Sequence, residues 1–217
     1  MRFDEVTIEN DDKGTKWTAK QCQLLGSFEI ELWIRLRDAK ISSASTGKIV
    51  CFVYSANTNE KNFTMDGIVD LPIKSNLLQS KPGSNAECLR LLRSLVIRAV
   101  KRVAKKDPVL STNLQRVMET VKATGTTSYD KKFGDRKTNR ARTASAQMFL
   151  RFGSHHPLVI VRIENRNKQS EEFVAHVWES YNTIEPCPIR KLRWVGSTIK
   201  CIDAKNRQVF TAVSTIA

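Results

Sequence analysis

The chain contains 217 residues, of which 41% are hydrophobic and 27% are charged, proportions that are typical of a folded protein and exclude wholesale disorder. Its 36 basic and 22 acidic residues give a formal net charge of +14, which indicates a polyanionic partner such as nucleic acid or an anionic membrane surface. No apolar run approaches the roughly 18 residues of a membrane-spanning helix, and acidic residues crowd the first twelve positions, so we expect neither a transmembrane segment nor a secretory signal.

The excess positive charge is concentrated in the middle third of the chain. Residues 1–83 carry 11 basic and 11 acidic side chains, residues 84–151 carry 16 and 5, and residues 152–217 carry 9 and 6. A protein that is basic only for solubility would spread its charge more evenly. The distribution therefore predicts a binding surface in the middle third.

The first third of the sequence predicts β-strands, within a β-block over residues 27–73. From Phe28 to Arg37 apolar residues occupy every second position, which is the pattern of a half-buried strand. Trp33 is the apolar residue on the outer face of that strand, and we expect it to be exposed. Residues 49–54 form a continuous apolar run that is typical of a central strand, and residues 63–73 predict a third strand.

A helical segment is predicted over residues 84–124. Ser84 and Glu87 have the spacing of a capping box, and apolar residues recur at helical intervals up to residue 103. No acidic residue lies between 88 and 106, and seven cations occupy the face opposite the apolar stripe. A second helix is predicted to begin near Ser111 or Thr112 and to end at Gly125.

Residues 126–146 are polar and basic, with Tyr129 and Phe133 as the large aromatic residues, so we predict an exposed basic arm or loop that is mobile in the free protein. A second β-block follows over residues 147–217, with a hairpin turn at Lys205–Asn206 and strand patterns over 146–152, 158–163, 172–178, 192–201 and 208–213.

These elements together predict an α+β protein that forms a single domain over residues 1–217. Its antiparallel sheet would come from the N- and C-terminal β-blocks, with the two helices inserted in the middle third.

The predicted polyanion-binding surface combines the basic face of the first helix with the basic arm. Cations on one helix face can contact successive phosphates, and aromatic side chains beside cations can stack on the bases of a single strand. The candidate nucleic-acid-binding residues are Arg90, Arg93, Arg98, Lys101, Arg102, Lys105, Lys106, Lys131, Lys132, Phe133, Arg136, Lys137, Arg140 and Arg142.

No pattern in the sequence predicts a cofactor or a metal site. The five cysteines are odd in number and widely spaced, without a CxxC pair, which is typical of reduced, mostly buried thiols in the cytoplasm or nucleus. Zinc ligands usually occur in closely spaced pairs. That spacing is missing from the residues that could otherwise supply ligands, which are His155, His156, His176, Cys187 and Cys201.

Catalytic motifs are missing as well, since the chain has no GxSxG elbow, no Walker-type phosphate loop and no HExxH. Asp66 and Asp70 lie four residues apart in a predicted strand, where two carboxylates could support metal-dependent phosphodiester chemistry. Because no third acid or paired lysine accompanies them at a recognised spacing, we expect the protein not to be an enzyme.

We expect a cytoplasmic or nuclear protein that binds RNA or single-stranded DNA in a structural or packaging role and that self-associates. A basic α+β chain without a catalytic motif matches the general profile of viral coat, nucleocapsid and movement proteins. Two alternatives remain open. One is a peripheral membrane protein of matrix type that uses the same cations on anionic lipid, and the other is a metal-dependent nuclease that uses Asp66 and Asp70.

Overall fold

The computed structural model describes residues 1–10, 17–54, 63–74, 84–152, 157–177 and 189–217. The chain divides into two compact units, an N-terminal unit of residues 1–127 and a C-terminal unit of residues 128–217. The described residues form four helices and eleven strands in three sheets, with three of the helices in the middle third. The α+β class is confirmed, and antiparallel sheets are present. The prediction of a single domain stays a prediction.

The sheet of the N-terminal unit is mostly parallel, whereas the sequence had predicted antiparallel pairing. Its strands are ordered β1-β2-β4-β3, in which β1 pairs with β2 and β2 with β4 in parallel, and only β3 is antiparallel to its neighbour. A parallel pair requires a long crossover connection, and a helix lies between β1 and β2. The strand bounds are β1 (Glu5–Asn10), β2 (Lys48–Tyr54), β3 (Phe63–Met65) and β4 (Ile68–Lys74).

The crossover is helix α1 (Ala19–Ala39), so the strand predicted from Phe28 to Arg37 is wrong. A capping box begins the helix: the Thr18 hydroxyl accepts a hydrogen bond from the Gln21 backbone N–H at 3.2 Å, and the Gln21 side chain accepts one from the Thr18 N–H at 2.8 Å. The apolar residues that α1 buries are spaced three and four apart, as a helix requires: Leu25, Phe28, Leu32 and Leu36.

The predicted helical segment is confirmed, although its second helix is divided in two. Helix α2 (Asn85–Ala104) begins at Ser84, whose hydroxyl accepts a hydrogen bond from the Glu87 backbone N–H. It is followed by the short α3 (Pro108–Thr112) and by α4 (Leu114–Ala123). The apolar faces of α1, α2 and α4 share one core with the parallel strands.

The C-terminal unit contains two antiparallel sheets with a common core between them. The other strands predicted for this region are confirmed within the described residues, but the single strand predicted over 192–201 is wrong, because these residues form a hairpin that turns at Gly196. The turn at Lys205–Asn206 is also present. The first sheet contains β5 (Tyr129–Thr138), β6 (Ala144–Phe152), β7 (Leu158–Asn165) and β8 (Ser170–Val177), and the second contains β9 (Lys191–Val195), β10 (Thr198–Ile202) and β11 (Gln208–Val213).

The segment predicted as a basic arm over 126–146 is largely β-strand, which corrects the expectation of a loop. Strand β5 pairs with β6 along the edge of the first sheet. An edge strand needs an apolar side chain only on its inner face, and lysines on the other face discourage pairing with a second chain. Phe133 supplies the inner contact by packing against the core, so sparse apolar residues do not prevent β5 from being ordered.

The buried carboxylate of Glu29 on α1 binds a backbone N–H of the edge strand β1. Its Oε1 atom accepts a hydrogen bond from the Ile8 backbone N–H at 2.6 Å, on the edge strand β1. Burial raises the pKa of Glu29 from 4.5 to about 7, in spite of the Ile8 N–H, which lowers it. The folded protein therefore binds one more proton than the unfolded chain between these two pH values, and its stability falls as the pH rises through them.

Glu29→Gln is expected to change stability little at pH 4 and to raise it by about 1–3 kcal/mol at pH 8, because the amide keeps an acceptor for Ile8 without carrying a buried charge. Urea denaturation at the two pH values measures the difference. Glu119→Gln, which removes an exposed carboxylate on α4, serves as the matched control and should show no such contrast. An equal effect of Glu29→Gln at both pH values would contradict the raised pKa of Glu29.

Candidate nucleic-acid interface

Three of the seven predicted cations on α2 are used to hold the N-terminal unit together. Arg93 Nε donates to the Thr124 carbonyl at 3.0 Å, and Arg98 Nη1 donates to the Lys74 carbonyl at 3.1 Å. Arg102 Nη1 donates to the carbonyl of Pro72 at 3.0 Å. Each arginine thus satisfies a backbone acceptor at the end of another element, and its charge is only partly available to a ligand.

The other four cations, Arg90, Lys101, Lys105 and Lys106, are exposed, and none has a hydrogen-bond or ion-pair partner among the residues that the structure describes. Arg90, Lys101 and Lys105 fall within about 60° of one another around the helix and extend over about 22 Å of its length. We call these three residues the α2 stripe. No carboxylate follows Glu87 until Asp107, so the charge of the stripe is not neutralised along the helix.

The opposite face of α2 is packed in the core of the N-terminal unit. Most apolar residues of the helix are buried there, and Leu91 and Ile97 are partly buried against the same core, so α2 exposes little large apolar surface. The buried residues are Cys88, Leu89, Leu92, Leu95, Val96, Ala99, Val100, Val103 and Ala104.

The predicted cations of β5 are divided between the two faces of the strand. Lys132 and Arg136 project from the face that is turned away from the core, with Lys132 opposite Phe149 of β6. Lys131 lies opposite Leu150 on the core side, and Lys137 forms an exposed ion pair with Asp135 at 3.2 Å. Phe133 is half-buried against the core, so the structure does not present its ring as an open stacking platform.

One end of the β5–β8 sheet is strongly basic. Arg140 and Arg142 lie in the β5–β6 turn, next to Arg166 and Lys168 in the β7–β8 turn, and all four side chains are exposed. A hydrogen bond of 2.9 Å from Arg166 Nε to the Arg142 carbonyl joins the two turns. We call these four residues the basic sheet end. Sequence reasoning missed Arg166 and Lys168, although a short Asn-Arg-Asn-Lys run between two strand patterns could have indicated them.

The face of the β5–β8 sheet that is turned away from the core carries a network of two arginines and two carboxylates. Asp130 accepts hydrogen bonds from Arg151 Nε and Nη2 at 2.7 Å and from Arg162 Nη2 at 2.7 Å. Glu172 accepts from the same two arginines at 2.7–3.1 Å. The hydrogen bonds from Arg151 are the main cause of the lowered pKa of Asp130 and of Glu172, so both carboxylates stay ionised near neutral pH.

Arg162 also covers an aromatic ring of the same face. Its guanidinium carbon lies 4.2 Å from the centroid of the Phe149 ring, which is a cation–π contact. Beside this pair is a depression of about 230 Å³, which we call the trough. It is lined by Lys132, Arg136, Ser145, Gln147, Phe149, Arg162 and Glu164.

The residues that would serve a nuclease are not gathered into a site. Asp66 occupies the turn between β3 and β4 with φ of 50°, next to Gly67 with φ of 80°. Asp70 lies within β4, opposite Val50 of β2. Within the described ranges no group of three or more His, Cys, Asp or Glu side chains could hold a metal ion. The candidate ligands His155, His156 and Cys187 lie outside those ranges.

The cysteines behave as the sequence predicts wherever the structure describes them. Cys51, Cys88 and Cys201 are buried, Cys22 is half-buried, and none of these four forms a disulfide bond within the described residues. Trp33 is 37% exposed, as expected, although it lies on a helix rather than a strand. Trp194 packs against the core of the C-terminal unit.

None of the helices in the described part of the chain is long and apolar enough to cross a membrane. Comparison with known proteins finds no matching family model, no similar curated protein and no similar solved structure.

Proposed function

We propose that the protein binds single-stranded RNA or DNA in a structural, non-enzymatic role. The observation that carries the proposal is the α2 stripe, a row of exposed cations that the described part of the protein neither pairs nor uses. Phosphates that bind such cations release condensed counterions, which supplies most of the free energy of sequence-independent binding. The basic sheet end offers a second group of four exposed cations for the same backbone.

Nucleic acid is favoured over lipid because of how α2 is packed. A helix that binds a membrane surface buries its apolar face among the acyl chains and leaves its cations at the headgroups. The apolar face of α2 is already buried in the protein core. Binding through α2 is therefore mainly electrostatic, which suits a phosphate backbone.

The charge reversal Arg90→Glu with Lys101→Glu is expected to weaken binding to a single-stranded RNA by about tenfold or more, because two phosphate contacts become repulsive. The dependence of log K on log salt should also become shallower by about 1.4, since each phosphate contact with a single strand contributes about 0.7. Fluorescence anisotropy at four salt concentrations measures both quantities.

The matched control is Lys122→Glu with Lys205→Glu, which changes the net charge equally at two exposed positions elsewhere. The control should retain nearly wild-type affinity. If both double variants bind equally well, net charge rather than the α2 stripe is responsible. Tighter binding to phosphatidylserine vesicles than to RNA at equal ionic strength would overturn the proposal in favour of the membrane alternative.

A further inference from the structure

The guanidinium of Arg162 is held in one position by its neighbours. One face lies over the Phe149 ring, and the Nε and Nη2 atoms donate to Glu172 and Asp130. Arg151 binds both carboxylates from their other side. The network contains two positive and two negative charges and is neutral, so Arg162 contributes a fixed plane rather than an excess charge.

A guanidinium plane that is already ordered is a good surface on which to stack a nucleobase. The Arg162 side chain is 31% exposed although one face is covered by Phe149, and it lines the trough. Lys132 stands at the same depression and has no hydrogen-bond or ion-pair partner in the described part of the chain. It can therefore contact the phosphate of a nucleotide whose base lies on Arg162.

Apart from Arg136, which donates to Ser145 and Glu164, the remaining polar groups of the trough are mainly acceptors. Gln147 Nε2 is occupied, since it donates to the carbonyls of Phe133, Gly134 and Met148 at 2.8–3.2 Å, and its Oε1 atom remains. Glu164 binds Arg136 through Oε2 at 3.0 Å, which leaves its Oε1 atom as an acceptor for a ligand as well. No described residue donates a hydrogen bond to either of these Oε1 atoms.

Acceptors of this kind match a base whose edge carries hydrogen-bond donors. Guanine presents an N1–H and an N2 amino group side by side, which a carboxylate can accept together, whereas uracil presents two carbonyls and one N–H. We infer that the trough binds one unstacked base of a single strand and prefers guanine to uracil, with Arg162 as the stacking surface and Glu164 as the specificity group. The inference deepens the proposed function and rests on it.

Two labelled ten-nucleotide RNAs test the inference, one entirely uridine and one with a single central guanosine. The wild-type protein should bind the guanosine strand about fivefold to tenfold more tightly. Arg162→Lys keeps the charge but removes the plane, and we expect it to weaken binding to the guanosine strand about tenfold. Arg193→Lys, at an exposed position of β9 in the other sheet, is the matched control and should bind both strands like the wild type.

Glu164→Gln separates a role in base recognition from a role in folding, because it leaves the Arg162 network intact. It should equalise the affinities for the two strands while thermal stability and the salt dependence stay at wild-type values. Equal binding of the two strands by the wild type, or unchanged binding by Arg162→Lys, overturns the inference that the trough binds a base. If Arg90→Glu with Lys101→Glu still weakens RNA binding about tenfold in that case, the proposed function survives alone. Failure of the wild type to bind either RNA overturns both.

Discussion

Replacing Glu31 by alanine is expected to destabilise the N-terminal unit by about 3–5 kcal/mol, the usual loss when one partner of a buried ion pair is removed. The Glu31 side chain is 1% exposed and binds Arg35 Nε at 2.7 Å. Its second oxygen accepts the backbone N–H of Gly125 at 3.1 Å. The alanine variant leaves a largely buried guanidinium and a buried N–H without this acceptor. Urea denaturation measures the loss.

A double-mutant cycle identifies the cause of that loss. Arg35→Ala leaves the Glu31 carboxylate buried without its cation and should also be strongly destabilising. The double variant should lose less than the sum of the two single variants, because neither charge is then left unpaired. Losses that add, or a loss below about 1 kcal/mol for Glu31→Ala, would show that the pair is not coupled in the folded protein.

Asp107→Ala should produce the second largest loss of stability, about 2–4 kcal/mol, because the carboxylate joins two parts of the N-terminal unit through three backbone N–H donors, of which that of Leu110 is buried. Its Oδ1 atom accepts the N–H of Ala44 at 2.9 Å and the N–H of Leu110, at the start of α3, at 2.8 Å. Its Oδ2 atom accepts the N–H of Ser45 at 3.2 Å. Thermal and urea denaturation report the loss.

Acid titration provides an independent measurement of the same contact. Burial by itself would raise the pKa of Asp107, but the N–H donors of Ala44, Leu110 and Ser45 outweigh it and hold the pKa below the ordinary value of 3.8. The carboxylate therefore contributes stability above that pH, and the contribution is lost as the pH falls below it. Asp107→Asn should lose less stability than the wild type between pH 5 and pH 3. Identical acid-unfolding curves would show that the carboxylate has no such role.

The sequence was sufficient to predict the elements whose patterns are long and regular. Helix α2 repeats its apolar residues over five turns, so its bounds were predicted within two residues. Helix α1 was misread because positions 28, 32 and 36 fit both a period of two and a helical period. The evidence for a helix lies upstream, in Leu25 and in the capping box from Thr18 to Gln21.

The candidate interface could be predicted only in part, because most of its contacts are made across strands. Lysine and aspartate have low intrinsic preference for strands, and β5 is ordered by pairing with β6 rather than by its own composition. The partners of Asp130 in the arginine network, Arg151 and Arg162, lie 21 and 32 residues away. The α2 stripe could be predicted from the sequence because its residues share one helix. The trough could not, because the residues that line it are brought together by strand register.

The two units follow each other along the chain, and each of the three described sheets takes its strands from one unit. Residues 128–217 number 90, and a ribosome needs about 5–20 s to add them at the usual rate of about 5–20 residues per second. A mixed α/β domain folds within milliseconds to seconds. The N-terminal unit, with its buried Glu31–Arg35 pair, can therefore be folded while the strands of the C-terminal unit are still being synthesised.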